Sequence, residues 1–312
     1  MQTFYEHLDL WVVGELRMKR FMKKHAEDVR SLQPWSYLFS GTYTSSEVLD
    51  VFLAGPQQAY EHITLLEGRG MYDIDAYLAD KNLIEQGDYI SFVTDSEIIS
   101  RYIQRYDFLA QAAKERDTIT SLEGYLYPNT YFVDRDKNVI DQLVYLQLEA
   151  YNTSIWQPLG EWLINLSSSL QNKWYSFSLS TYGAMILASI IEKEERYAPN
   201  RATIASVFYN RLDTNMRIDA DISLCYGLQT WYEACTPEVI WRSVQDASNP
   251  YNTRAVAWLP PTPIVSPTVS SVEALLEAQK TWDFFYLHDS SWQLHTAPTL
   301  EAHVVNKQRY LY

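Results

Sequence analysis

Met185-Ile-Leu-Ala-Ser-Ile-Ile-Glu192-Lys-Glu-Glu195-Arg196 is a nearly unbroken apolar run that stops at a carboxylate and is followed by charges. Read as one helix, residues three and four apart share a face, so Glu192 lies on the stripe of Ala188 and Ser189. Glu194 and Glu195 then point elsewhere. A carboxyl that ends an apolar stripe is partly desolvated, and desolvation disfavours its charged form. A general acid working near neutral pH needs that property. The bland alternative is a helix leaving the core, with Glu192 as its first solvated residue.

Working outward, an ordered set of short strings follows the acidic cluster. Ile204-Ala-Ser-Val-Phe-Tyr-Asn210-Arg-Leu212 comes first, then Met216-Arg-Ile-Asp-Ala-Asp221 and Tyr226-Gly227. Asn249-Pro-Tyr-Asn-Thr253, Leu259-Pro-Pro-Thr-Pro-Ile264 and His295-Thr296 complete the series, with Glu123-Gly-Tyr-Leu-Tyr-Pro-Asn-Thr-Tyr131 upstream. Gly41-Thr-Tyr43 and Glu67-Gly68 extend it more weakly. Each string is short enough to recur by chance; their order and spacing carry the information. Together they resemble the endolytic murein transglycosylases (the MltG or YceG-like family), bacterial enzymes that cut peptidoglycan glycan strands.

The resemblance implies an α+β fold: a small LysM-like α/β module, truncated here, over 1–118, and a mixed α+β catalytic domain over 119–312. It implies a membrane anchor ahead of the module, so that the sequence reads as beginning inside it. It also implies action at the extracytoplasmic face of the bacterial cell membrane. The substrate class is peptidoglycan glycan strands, cut at the MurNAc-GlcNAc β-1,4 bond, with a role in cell-wall assembly and strand-length control. Cell-wall synthases are possible partners under this reading, and no cofactor is expected.

One Glu suffices for the implied chemistry. It protonates the leaving oxygen, then takes the proton of the muramic acid C6 hydroxyl, which attacks C1 and leaves a 1,6-anhydro end. Glu192 matches the family's catalytic position, and Glu192→Gln is expected to spare the fold while removing activity. Asp221 and Tyr226 match an Asp and a Tyr that would position substrate. The chain departs from the pattern at Asp219, where the family has Gln, and at Ile222, where it has Pro. Asn210, Tyr251, Asn252 and Thr253 are candidates to line the groove by hydrogen bonding, with a structural role in loops as the alternative. His295 reads as a polar residue of a strand pair. A muramidase-type hydrolase using Glu192 with Asp219 or Asp221 is the competing enzyme, and a catalytically silent glycan-binding scaffold is the competing non-enzyme.

Composition excludes some classes. With 25 basic and 39 acidic residues and a net charge of −14, the chain lacks the basic face of a nucleic-acid binder. No run approaches 18 apolar residues, and Leu8-Asp-Leu-Trp-Val-Val13 is short and contains a charge. No His-Glu-x-x-His or Cys-x-x-Cys pattern offers a metal site. Cys225 and Cys235 either pair or stay as buried thiols.

Several local elements are legible. Thr44-Ser-Ser-Glu47 is a capping box opening a helix that stops at Gly55-Pro56. Ile63 to Leu66 reads as a strand, Asp73 to Lys81 as a helix, and charged Ala110 to Thr120 as a domain boundary. A strand near Tyr127 to Val133 precedes a helical tract from Val139 to Trp174. Ser270-Ser-Val-Glu273 opens a capped helix, Phe284–Leu287 and Gln293–His295 pair as strands, and Thr299 starts the closing helix.

Glycine is scarce: 10 in the chain, where average usage predicts roughly 20. The chain also has 10 Trp, several of them where turn chemistry or the family pattern asks for Gly. These are Trp11, Trp35 in Pro34-Trp35, Trp258 before Leu-Pro-Pro, and Trp292 at the tip of Asp289-Ser-Ser-Trp292. Two explanations compete: codons read as Gly in the source organism under a variant genetic code, or ordinary drift to Trp.

Overall fold

The structure is a computed structural model and describes residues 23–25, 44–53, 60–229 and 235–311. By contacts the chain divides into two compact units, one of Met1–His62 with Phe132–Lys137, the other of Ile63–Tyr131 with Asn138–Tyr312. In the first, α1 (Ser45–Leu53) opens with the expected capping box: Glu47 N–H donates to Thr44 Oγ1 and Thr44 N–H to Glu47 Oε2. Its stop at Gly55-Pro56, Gly41–Tyr43, Trp11 and Trp35 lie outside the described residues. β1 (Tyr60–Thr64) pairs with β2 (Thr130–Asp134), and His62 meets Phe132 edge-on at 4.5 Å.

The second unit is mostly helical and makes the whole an α+β fold. Four helices follow β1: α2 (Met71–Asp80), α3 (Asp88–Thr94), α4 (Ser96–Arg105) and α5 (Asp107–Glu115). The stretch from Ala110, read as a boundary, is instead the second half of α5, with Phe108, Leu109 and Ala112 buried. Its Glu115 carboxylate accepts from Thr181 Oγ1 and Tyr182 N–H at the start of a later helix. Charge here serves a helix start, which a solvated linker would mimic in sequence.

The helical tract after β2 is broken rather than continuous. α6 (Val139–Tyr151) passes through a π turn at Asn152–Trp156 into α7 (Gln157–Ile164), and α8 (Leu166–Asn172) follows. α9 (Thr181–Glu194) is the centre of the unit. Every residue from Thr181 to Glu192 is buried, so the helix is enclosed all round rather than amphipathic. It packs against α5, α7, α10 (Arg201–Asp213), α11 (Asp221–Gly227) and α13 (Val269–Glu277). Ser180 caps it by accepting from Gly183 N–H. Leu187, Ile190 and Ile191 are fully buried, each contributing about 1.5–3 kcal/mol. Much of the tyrosine content also lies inside: Phe108, Tyr125 and Tyr151 form one aromatic cluster with centroids 4.6–5.5 Å apart.

α12 (Pro237–Ser243) lies between α11 and α13 in sequence. The chain then closes with an antiparallel hairpin, β3 (Phe285–His288) and β4 (Leu294–Ala297), and with α14 (Leu300–Tyr310), capped by Thr299. Among the described residues no helix is long and apolar enough to cross a membrane.

Among the described residues three tryptophans hold left-handed backbone: Trp174 at φ +70, Trp258 at +74 and Trp292 at +61. For a bulky residue this is strained. Trp174 follows α8 in a glycine-type stop, with Trp174 N–H donating to Gln171 O and Tyr175 N–H to Leu170 O. Trp292 takes the position after a tight turn where its N–H donates to Asp289 O, again a glycine position. Trp174 is 85% exposed, so its indole returns little for the strain. Trp174→Gly should therefore stabilise the protein by about 1 kcal/mol, or roughly 2–4 °C in melting temperature. A fall on thermal unfolding would show the indole to be worth more than the strain. Intact-mass measurement of protein from the native organism separates the two explanations: recoded codons predict fewer than ten Trp.

Candidate active site

Glu192, in the last turn of α9, is only 7% exposed, and it is not alone there. Arg201, the first residue of α10, grips it bidentately, Nη2 to Oε1 at 2.9 Å and Nη1 to Oε2 at 3.1 Å. Oε2 also accepts from Thr268 N–H at 2.9 Å, Thr268 Oγ1 at 2.7 Å and Ser271 Oγ at 2.8 Å. The carboxylate thus caps the N-terminus of α13, where N–H groups and the helix dipole favour an anion. Thr268 is the N-cap of α13, yet its hydroxyl serves Glu192; the helix starts ahead of the predicted Ser270 cap. The apolar-stripe reading placed Glu192 correctly but missed this nest. Its signal was the buried carboxylate itself, which requires a cation, with Arg201 opening the next apolar helix.

The guanidinium is as buried as its partner, with side-chain exposures of 6% and 2%. Arg201 donates further to Glu195 O, Thr268 Oγ1 and Ser270 Oγ. Breaking one side of such a pair costs about 3–5 kcal/mol, because the other charge is stranded. Glu192→Gln therefore will not spare stability as the sequence alone suggests.

Beside α9 runs the turn Gly68-Arg69-Gly70. Lys193 Nζ donates to Gly68 O at 2.9 Å, and burial holds its ammonium below the usual lysine range while Asp73 and Glu192 pull it back up. A Cβ on Gly70 would lie 2.8 Å from Ile264 O and 3.2 Å from Glu123 Oε2. Only glycine allows these segments to converge. Ile264 N–H in turn donates to Ser189 Oγ on α9. Glu123 is fully buried and accepts from Met71 N–H at 2.6 Å, the first residue of α2. Tyr226 OH lies 3.5 Å from the same oxygen. The Tyr226 ring packs between Tyr72 at 5.3 Å and Tyr251 at 5.0 Å.

The remaining predicted residues divide by exposure. Asp221, half-exposed, pairs with Arg254, and Asp219 reaches the same guanidinium at 3.4 Å. Burial pushes the Asp221 carboxyl up, and Arg254 opposes it. Tyr251 OH hydrogen-bonds Thr262 Oγ1 at 2.8 Å. Asn252 is fully buried, its amide donating to Ser243 O, Val244 O and Asp246 O while its oxygen accepts from Arg254 N–H. Thr253, also fully buried, ties Ala220 and Ser223. Asn210 donates to Thr281 Oγ1 and Asp283 O inside the core. These three organise loops, the alternative the sequence left open; Asp221, Tyr226 and Tyr251 are only part-buried.

Glu194 and Glu195 have partners of their own. Glu194 accepts from Tyr286 OH, and burial raises its carboxyl. Glu195 accepts from Tyr197 N–H and meets His288 Nε2 at 2.9 Å. His295, on β4 as expected, contacts Asp289 and stacks on Tyr310. Cys225 and Cys235 are joined in a disulfide, Cα atoms 5.8 Å apart.

This arrangement has known relatives. An endolytic murein transglycosylase of Bacillus subtilis (strain 168) is 26% identical over 250 residues, 80% of this chain and 65% of the relative. One from Streptococcus pneumoniae serotype 2 is 25% identical over 203 residues, 64% of this chain and 34% of the relative. The chain therefore spans just under two thirds of the first relative's length and about a third of the second's. A crystal structure of a YceG-like protein from Listeria monocytogenes has the same fold, with a TM-score of 0.65 at 24% identity over 94% of this chain and 90% of that one. The model of the YceG-like family matches residues 10–309, nearly the full length, and the chain belongs to that family.

Proposed function

We propose that the protein is a peptidoglycan lytic transglycosylase that cuts glycan strands endolytically, with Glu192 as the single catalytic group. The observation that carries this reading is the unequal solvation of the two Glu192 oxygens. Oε2 accepts four hydrogen bonds, and Oε1 accepts one, from Arg201 Nη2. Oε1 keeps a lone pair free to carry a proton, so it is the oxygen that serves the leaving glycosidic oxygen and then the C6 hydroxyl. As arranged, Glu192 only accepts, the state suited to the base half of the cycle. With the proton on Oε1, Oε2 goes on accepting from Thr268 and Ser271 as a carbonyl oxygen. The undisturbed Oε2 side thus holds the carboxyl in place through both halves.

Tyr72, Tyr226 and Tyr251 supply apolar faces for sugar rings, and Asp221, oriented by Arg254, accepts from sugar hydroxyls. Asn252 and Thr253 hold the loop that bears Tyr251, while Asn210 ties Thr281 and Asp283 elsewhere. The part of the chain before 119 recognises glycan in a LysM-like manner and carries no catalytic group. The enzyme acts at the extracytoplasmic face of the membrane, where its product ends bear on strand length, and wall synthases are its natural partners. Asp219 and Asp221 share one guanidinium, which leaves the hydrolase reading without a free second carboxylate.

Two measurements test the reading. Mass spectrometry of products from purified strands should show 1,6-anhydro ends; reducing ends would mean a hydrolase, and binding without turnover a scaffold. Glu192→Gln should lower the cleavage rate by about 10⁴, the upper end for loss of a general acid and base. Its melting temperature should also fall, and activity must be read on the folded fraction by circular dichroism. Glu194→Gln and Glu195→Gln should destabilise by about 1–3 kcal/mol through stranded buried partners yet keep turnover well below their melting points. Cleavage surviving in folded Glu192→Gln protein would sink the assignment.

A further inference from the structure

We propose that Glu123 is a positioning residue of the cleavage site, its carboxyl tying the start of α2 to Tyr226 of the aromatic cluster. The inference rests on the transglycosylase reading of that site. The geometry is a chain of contacts. Glu123 Oε2 takes Met71 N–H at 2.6 Å and faces Tyr226 OH at 3.5 Å. Met71 follows Gly70, where a side chain would collide with Ile264 O and crowd the same carboxyl oxygen. Gly68, two residues earlier, receives Lys193 Nζ, the residue after Glu192. One side chain thus fixes the turn that braces the catalytic helix and the ring offered to the sugar. The next residue, Gly124, sits at φ +94, and a Cβ there would lie 2.5 Å from Pro263 Cγ, so the segment bearing Glu123 is itself locked against the Ile264 loop.

The carboxyl is also in an unusual state. It is fully buried, and its Oε1 has no hydrogen-bond partner among the described residues. Burial pushes it up to about 8, against the Met71 and Gly124 amides, while Asp73 pushes the same way. The titratable groups around it are Asp73 and Tyr72 on α2, Tyr89 on α3, Tyr226 on α11 and Tyr251 on the following loop. All are acids or phenols, and the four phenols are raised above their ordinary range, so they stay neutral when Glu123 titrates. Glu123 is therefore a carboxylic acid at neutral pH. Its ionisation would place an anion among acids and phenols, with one oxygen unpaired.

The sign follows from linkage. A carboxyl raised from 4.5 to about 8 on folding stabilises the protein fully below pH 4.5, and that contribution is lost as pH rises through 8. Two readouts test this. Glu123→Gln, whose amide stays neutral, should flatten the fall of melting temperature between pH 5 and pH 8 relative to the unaltered protein. In cleavage assays, Glu123→Ala should lower kcat by about a hundredfold through misplacement, and Glu123→Gln should recover part of that loss while abolishing the alkaline limb near pH 8. A Glu123→Gln protein with the unaltered melting profile and alkaline limb overturns the inference, as does Glu123→Ala cleaving at full rate. The melting readout needs no activity, so failure of the transglycosylase reading, seen as reducing ends or as active Glu192→Gln protein, is told apart from failure of this one.

Discussion

A buried charge pair is the constraint around which the second unit is arranged. Glu192 and Arg201 are both nearly inaccessible, and removing two ions from water is expensive unless every remaining lone pair and proton is met. The protein meets them by bringing three helices together: α9 supplies the carboxylate, α10 the guanidinium, and α13 its N-terminal amide and hydroxyls. None of these elements can shift without exposing an unpaired charge. The pair specifies an arrangement more than it adds stability, and that arrangement holds the chemical group at a fixed point.

On the reading proposed above, the fold around it separates chemistry from substrate holding. The Glu192 carboxyl sits on the most enclosed helix, while Asp221, Tyr226 and Tyr251 lie on a short helix and a loop. Asn252, Thr253 and Asn249 hold that loop through buried hydrogen bonds to backbone groups. A rigid base and supported loops would suit the polymeric substrate proposed above.

What the sequence disclosed follows the range of the interactions. Periodicity and caps are local, so α1, the Glu192 helix, the β3–β4 pair and α14 were legible from Thr44, the apolar run and Thr299. Glu192 stood out because a carboxylate after seven nearly apolar residues is a local anomaly. Arg201, Thr268 and Ser271 were not legible, since what they satisfy lies 9 to 79 residues away along the chain. Ala110–Glu115 misled for the same reason: its charge looked like solvation, and the partner of Glu115 lies at Thr181. Asn210, Asn252 and Thr253 could not be sorted between groove and scaffold, because an amide or hydroxyl reads alike in either place. Trp258 and Trp292 were legible as misfits, turn position being a local property, and both hold left-handed backbone.

The disulfide makes part of this division redox-dependent. Cys225 lies in α11 between Asp221 and Tyr226, and its bond to Cys235 closes a ten-residue step, worth about 3 kcal/mol if loop entropy dominates. That constraint acts on α11 and the segment after it and not on the charge nest at Glu192. An oxidising milieu would thus resist local unfolding of α11 without touching Glu192, and a reducing one would make that unfolding easier. On the transglycosylase reading proposed above, this would bear on how long a strand stays bound between cuts, a property separate from the rate of each cut.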